Sequence, residues 1–466
     1  MSTAIRPLEL TPLTAISSLD GRYSNSTSIL RSYVSEYSLF KQRIYVEIQW
    51  IKLMCDTPEF NQQLKPLSSG AIQYLDNIVT SFSIDDATQI KHIEITTKHD
   101  MKAVEYYIKN KFDASKLNEL ISIKEFIHFG CTSEDINNLS WSLILKTSLN
   151  ECMIPLMNTL INKLQSMAHE YSDCAMLART HGQPATPTTL GKEMSVFVYR
   201  LRHQLQLIQQ CPILGKFNGA TGNYNTHMIA YSNINWPELS KIFVTERLGL
   251  SFNPYTTQIE SHDYNSQLFD TIQRFNTICI GLCRDIWGYI SFNYFKQMKV
   301  DGEIGSSTMP HKINPIDFEN SEGQLGLSNS LLSHISSKLI ISRYQRDLTD
   351  STVQRSMGQA YAHSLIAYNS LLRGLSKLQV NYDVISNDLN SNWEVLAEPI
   401  QTVMRKYSID SPYEKLKELT QGKRVDQQMI QQFINKLEIP DDAKQILMKL
   451  TPHTYIGYAA ELAKAI

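Results

Sequence analysis

The chain has 466 residues, 42% of them hydrophobic and 19% charged, with a formal net charge of −2. That is too long for one compact core and too apolar for disorder, so two or three folded domains are expected. The near-neutral balance lacks the basic excess of a protein that wraps nucleic acid; no run reaches the ~18 apolar residues of a membrane span, and the N-terminus has no charged head before an apolar stretch, so a soluble cytoplasmic protein is expected, with no nucleic acid and no membrane as partner.

Gly and Pro number 19 and 16, below average usage, which favours long helices over many short strands. The seven cysteines are odd in number and form no CxxC, so a reducing compartment without a disulfide framework is expected.

In chain order, Asp20-Gly-Arg-Tyr23 is the first polar cluster, followed by a helix over Tyr33–Met54. Thr97-Lys-His-Asp100 is the second cluster, and the pattern weakens around 115–121, where a boundary is placed. Cys131-Thr-Ser-Glu-Asp-Ile136 opens a rod from about Leu139 to Leu164, in which Pro155 predicts a kink. Arg179-Thr-His-Gly-Gln-Pro-Ala-Thr186 lies between two rods, where bundle ends form clefts. His181, among hydroxyls and amides, reads equally as catalytic or structural.

The next rod carries Leu190, Met194, Phe197, Leu201, Leu205 and Ile208 on one face. Gly215, Gly219 and Gly222 follow, and read as a tight interhelical turn rather than a phosphate cradle. After the polar stretch Thr257–His262, the longest stripe runs Leu268, Ile272, Phe275, Cys279, Leu282, Ile286 and Ile290. Nearly 30 residues at 1.5 Å each make a rod of roughly 40 Å. Cys279 and Cys283 share that stripe and read as core packing, not as metal ligands. A fourth rod runs from Glu319 through Leu325, Leu332, Ile335 and Leu339. Rods of this length bury their stripes on one another, so the middle of the chain is a helix bundle. The near-heptad spacing fits an intramolecular bundle or one shared between subunits, and the pattern alone does not separate the two.

Between the third and fourth rods lies Gly302-Glu-Ile-Gly-Ser-Ser-Thr-Met-Pro-His-Lys-Ile-Asn-Pro315. Its glycines, serines and prolines make a loop, and Asn314-Pro315 starts a helix with Pro at its first position. Lys312, the hydroxyls of Ser306, Ser307 and Thr308, and the helix start make an anion-binding segment. Long loops in an economical helical chain are more often functional than idle. Beyond the fourth rod, Asp350 or Ser351 is expected to cap a helix that carries Ser351 and Arg355 on one face, with Arg346 on the incoming turn. Such a set suits a phosphate; the alternative pairs Arg346 and Arg355 with Asp347 and Asp350. The pattern weakens again at 375–381, and a helical C-terminal segment follows. No convincing strands, metal signature or nucleotide-fold signature is read, and no cofactor is called for. The divisions are 1–121, 122–372 and 373–466.

The segment GSSTMPHKINP resembles the signature loop of the fumarase/aspartase superfamily, and that match is highly specific. DGRYS, TTKHD, HFGCTSEDINNLS, RTHGQPATP, NPYTTQIESHDY, RDLTDSTVQR and NWEVLAEPIQTVMRKY are similar, in order, to the adenylosuccinate lyase family within it, so the resemblance covers nearly the whole chain. It implies an all-α fold of three domains, a long central helix bundle shared among four subunits, and active sites built from several subunits of a homotetramer. It implies elimination of fumarate from adenylosuccinate and from the succinyl-carboxamide ribotide SAICAR, giving AMP and AICAR in purine synthesis.

Carried over residue by residue, Ser306 matches the base, His181 the acid and Glu319 the carboxylate that orients the histidine. A serine hydroxyl is a poor base unless its alkoxide is stabilised, which Lys312 and the following helix end favour. Thr132, Ser133, Ser307, Lys312 and Asn314 match positions that hold the fumaryl carboxylates. Arg22, Tyr23, Arg346, Ser351 and Arg355 match the phosphate and ribose side. Gln258, Asn320 and His99 match the substrate lining; the neighbours Lys98, less typical of the family, and Asp100 are placed with them.

Overall fold

The computed structural model describes residues 8–298, 308–309, 311–420 and 425–466. The apolar stripes become helices at Leu190–Gln210, Asp263–Ser291 and Ile316–Leu339, and the N-terminal helix is Glu36–Asp56. The residues that set the periodicity, from Leu190 to Ile208 and from Leu268 to Ile286, are buried, as are Leu325, Leu332, Ile335 and Leu339. Cys279 and Cys283 are buried free thiols within that packing, and burial pushes the Cys283 thiol up to about 12.

The rod expected over 139–164 is two helices, Ser133–Ser148 and Ile154–Glu170, joined through a π-helical turn at Leu149–Met153. The Ile154 N–H donates to the Leu149 carbonyl, five residues back. Pro155, which has no N–H to give and would crowd the carbonyl four residues before it, follows that turn directly. The irregularity expected at Pro155 is therefore a widened turn just before it.

Six short strands among the described residues were not foreseen. Strands β1 (Ala175–Thr180) and β2 (Gln183–Thr189) form an antiparallel hairpin, β3 (Leu214–Gly215) pairs with β4 (Ser251–Phe252) in parallel, and β5 (Phe295–Gln297) pairs antiparallel with β6 (Leu378–Val380). Pro184 and Pro187 argue against a strand when β2 is read from sequence, because each lacks a ladder donor. Both are accommodated in the hairpin, whose register shifts between Leu177 and Ala178.

The chain divides into two units. Unit 1 comprises 1–156, 206–276 and 324–366, and unit 2 comprises 157–205, 277–323 and 367–466. Unit 1 has a core around Trp50, fully buried, with ring centroids 4.6 Å from Phe217 and 5.2 Å from Phe243. Unit 2 has its own apolar cluster, which includes Leu389, Leu396, Ile400, Met404, Ile430 and Ile434. None of the described helices is long and apolar enough to cross a membrane.

Candidate active site

Unit 1 contains a cavity of about 710 Å³. Of the residues singled out in the sequence, Lys98, His99, Asp100, Thr132, Ser133, Gln258, Arg346, Ser351 and Arg355 line it. These residues come from four separate stretches of chain, each shaped by its local structure, and Arg43 of the Glu36–Asp56 helix adds a fifth.

The first is the junction of two helices. Lys98 ends the Ile84–Thr97 helix in the left-handed region (φ 55°), and His99 caps the Asp100–Ser115 helix by accepting the Lys102 N–H at Nδ1, 3.2 Å away. An accepting Nδ1 puts the proton of the neutral ring on Nε2. The Asp100 carboxylate accepts from the Met101 N–H at 2.8 Å and from Arg43 at 2.8 Å. Burial would raise its pKa, but the charge and hydrogen bond of Arg43 hold it below the usual carboxylate value.

The second stretch is the start of the Ser133–Ser148 helix. Asp135 takes the Thr132 N–H at 2.8 Å, so Thr132 and Ser133 open the helix in a fixed pose. Asp135 is itself held by the buried Lys216 ammonium at 2.9 Å and by the N–H groups of Asn218 and Gly219 at 3.0 and 3.2 Å. The glycine-rich stretch is thus a turn, as expected, and its amides cradle the chain's own carboxylate. Gly219 and Gly222 have φ of 85° and 81°, and a Cβ on Gly222 would lie 2.2 Å from the Thr256 carbonyl oxygen. Only glycine fits there without displacing backbone.

The third stretch presents Gln258, whose side-chain amide donates to the Ala220 carbonyl at 3.0 Å. Near it His262 is fully buried at φ 62°, with neither ring nitrogen hydrogen-bonded. Burial drives its pKa down to about 4, so the ring is neutral.

The fourth stretch corrects the sequence reading. The helix Thr349–Gln354 is capped by neither Asp350 nor Ser351: Leu348 occupies the cap position, and the Asp347 carboxylate takes the Thr349 N–H at 2.8 Å. Of the expected alternative pairings only Arg346 with Asp350 is found, and there as the longer of two contacts. Arg346 pairs with the buried Glu134 at 2.8 Å and lies 3.9 Å from Asp350, and Arg355 lies 3.4 Å from Asp100. Asp347 faces Arg343. Burial, then the Glu134 charge, push the Asp350 carboxyl upward in pKa. Ser351 Oγ is 3.4 Å from the Arg346 guanidinium.

Sequence reading missed Arg43, Glu94, Asn137, Trp141, Leu348 and Thr352, which also line the cavity. A signal existed for two of them: Ser133, Asn137 and Trp141 recur every four residues along one helical face.

Arg22 and Tyr23, also in unit 1, are not among the lining residues; the Arg22 guanidinium sits 6.0 Å from the Tyr23 ring centroid. The remaining residues belong to unit 2. His181 is exposed at the tip of the β1–β2 hairpin, and with Gly182 it forms the two-residue turn between Thr180 and Gln183. Both have positive φ, 53° and 74°, as a type I′ hairpin turn demands. Arg179 of the same motif is engaged with Asp388, which also accepts from the Tyr294 hydroxyl. Lys312 is exposed and Asn314 half-buried just before the Ile316–Leu339 helix. In its first turns Glu319 accepts from the Trp287 indole at 3.2 Å, and Asn320 donates to Ser370 at 2.7 Å. Ser306 and Ser307 lie outside the described residues. Among the described residues no group of His, Cys, Asp or Glu is arranged to hold a metal.

A polar cavity with paired guanidinium groups, hydroxyls and amides suits a small ligand bearing several negative charges. The fold resembles the crystal structure of a fumarate lyase from Mesorhizobium sp. BNC1, with a TM-score of 0.73 and 14% identity, covering 94% of this chain and 97% of that one. It also resembles a 3-carboxy-cis,cis-muconate lactonizing enzyme from Pseudomonas putida, with a TM-score of 0.71 and 16% identity over 95% and 96% of the two chains. A family model described as Lyase matches residues 21–327, which makes the protein a lyase of the all-α fold those structures share. A second, described as Adenylosuccinate lyase C-terminal, matches residues 342–456. Adenylosuccinate lyases of Haemophilus influenzae and Escherichia coli are 54% and 55% identical over 459 and 452 residues, covering 98% and 97% of this chain and 100% and 98% of theirs. The chain belongs to the adenylosuccinate lyase family.

Proposed function

We propose that the protein eliminates fumarate from adenylosuccinate to give AMP, and from SAICAR to give AICAR, in purine nucleotide biosynthesis. The observation that carries this reading is the cavity of unit 1. There Arg346, Ser351 and Arg355 share one lining with Thr132, Ser133, His99 and Gln258. Guanidinium forks and hydroxyls suit a phosphate at one part of such a ligand, and the hydroxyls of Thr132 and Ser133 suit carboxylates at another. The family relationship over nearly the full chain supports the same reading.

In the proposed chemistry Ser306 removes the proton beside a succinyl carboxylate, and His181 protonates the departing nitrogen. The C–N bond breaks as the new C=C bond forms, in the anti sense. Glu319 orients the acid. Ser307, Lys312 and Asn314 bind the fumaryl carboxylates with Thr132 and Ser133, while Arg22 and Tyr23 complete the phosphate and ribose side. Lys98, Asp100 and Asn320 join the substrate lining. Carbanion-like charge on the intermediate is stabilised by Lys312 and N–H donors near it. The active assembly is a cytoplasmic homotetramer whose sites combine residues of several subunits, and the three divisions 1–121, 122–372 and 373–466 are its domains.

The test is fumarate release from adenylosuccinate and from SAICAR by the purified protein, with the mass of the assembly measured alongside. Release from both by a tetramer is expected. A folded protein that turns over neither substrate overturns the reading.

A further inference from the structure

Along the cavity wall, Arg346 and Arg355 are tied to the ends of one chain of polar groups, of which Glu134 alone lies behind the lining. Glu134 has a side chain only 1% exposed, and its Oε1 accepts from Arg346 at 2.8 Å and from the Asn137 amide at 2.9 Å. The Asn137 Oδ1 accepts from the Arg43 Nε at 2.9 Å. Arg43, 3% exposed, donates to Asp100 at 2.8 Å, and the same Asp100 oxygen is 3.4 Å from the Arg355 guanidinium. Every member belongs to unit 1.

We propose that Glu134 and Asn137 are positioning residues that, through Arg43 and Asp100, fix the separation of Arg346 and Arg355 to suit one phosphate group. This deepens the function proposed above and rests on it.

The physical argument concerns what each arginine would otherwise do. Two cations aimed at one empty site repel each other and swing toward water. A fixed anion behind each one cancels that tendency without competing for the ligand, provided the anion cannot reach the site itself. Glu134 meets the condition because it is buried, and Asp100, which lines the cavity, has its two oxygens engaged by Arg43 and the Met101 N–H. The second Glu134 carboxylate oxygen has no hydrogen-bond partner, so loss of Arg346 would leave a buried charge nearly uncompensated. Arg346 is therefore held in place with or without ligand. Asn137 transmits the constraint because its amide has a donor end and an acceptor end. The donor end faces Glu134 and the acceptor end faces Arg43, so the order of charges along the chain alternates from Arg346 through to Arg355. Preorganised donors of this kind lower the ordering cost of binding.

The experiment uses the full-length protein and two variants, Glu134→Gln and Asn137→Ala, with inorganic phosphate and fumarate as the probes. Calorimetric binding of phosphate is expected to weaken by about tenfold or more in each variant, through loss of a buried charged partner in Glu134→Gln and through unmade hydrogen bonds at Arg43 and Glu134 in Asn137→Ala, while fumarate affinity stays within about twofold. In turnover of adenylosuccinate, KM should rise with kcat nearly unchanged. If phosphate affinity is unchanged in folded Glu134→Gln, the proposal fails. Equal weakening of phosphate and fumarate also overturns it, since that marks general loosening. Should Asn137→Ala not fold, Glu134→Gln decides, because it keeps the side-chain volume and one acceptor oxygen. Wild-type protein that binds phosphate but leaves adenylosuccinate intact would refute the substrate assignment and leave the positioning proposal standing. Wild-type protein that binds no phosphate would refute the positioning proposal.

Discussion

The cavity of unit 1 and the hairpin tip of unit 2 carry the groups of interest in opposite ways. In the cavity the charges interlock: Arg346 rests on Glu134, Arg43 on Asn137 and Asp100, and Thr132 on Asp135. At the tip His181 stands exposed in a left-handed turn between two short strands. By this contrast the proposed recognition groups are built into the body of one unit, where burial makes each partner costly to move. The proposed proton donor is displayed on a connection, where it can be presented to a ligand held elsewhere.

That contrast can be broken most directly at the chemistry. His181→Ala and Ser306→Ala are each expected to lower kcat by about a thousandfold, the scale of general acid–base catalysis, while phosphate binding by calorimetry is unchanged. Lost binding in either would mean that the two regions are not separable. Within the cavity, Arg346→Ala should weaken phosphate binding by about 300-fold and Arg355→Ala by about tenfold, because only the first leaves a fully buried carboxylate unpaired. Equal effects would remove the distinction drawn between their backings.

A third measurement sharpens the picture of the wall. His262 has its folded-state pKa driven down to about 4 from 6.5. Between these values the unfolded chain takes up a proton that the folded chain refuses, so stability falls as pH drops through that window, by about 3 kcal/mol in full. His262→Asn, which tolerates the positive φ, should flatten that part of the pH dependence in urea unfolding at pH 7, 5.5 and 4.5. An unchanged slope would mean the ring is not the group responsible. The smallest effect is Gly222→Ala, which should cost about 2 kcal/mol in the same unfolding assay, from the strained φ and the approach to Thr256. A neutral result would show that the turn beneath Asp135 shifts freely.

Much of this was legible in the sequence, and the rest was hidden for identifiable reasons. The long helices declare themselves because each must bury a stripe, and Leu268–Ile286 or Leu190–Ile208 leave no other reading. The polar clusters at 97–100, 131–136 and 346–355 were found because caps and sites draw on the same residue types. For that same reason Glu134 passed as one more acidic residue in a first helical turn, although its carboxylate points inward to Arg346. Nothing in a linear pattern distinguishes an acidic residue facing water from one facing a buried cation. Arg43 was missed likewise, because beside Lys41 and Lys52 in the same helix it reads as one more cation facing water. The His181-Gly182 turn did have a sequence signal, a glycine-containing pair between two flanking runs, but Pro184 and Pro187 masked the strand beside it.

The π turn at Leu149–Met153 has a consequence for how this rod tolerates change. A turn of that kind holds one residue more than the α-helix around it needs. Deleting a single residue within 149–153 would let the turn close to ordinary α geometry, and Met157, Leu160, Ile161 and Leu164 would keep their present facing. The same deletion a few residues later would rotate the rest of the stripe by about 100° and turn its apolar side toward water. The rod thus has a slack link beside Pro155, a place where its register can lose a residue without losing its face.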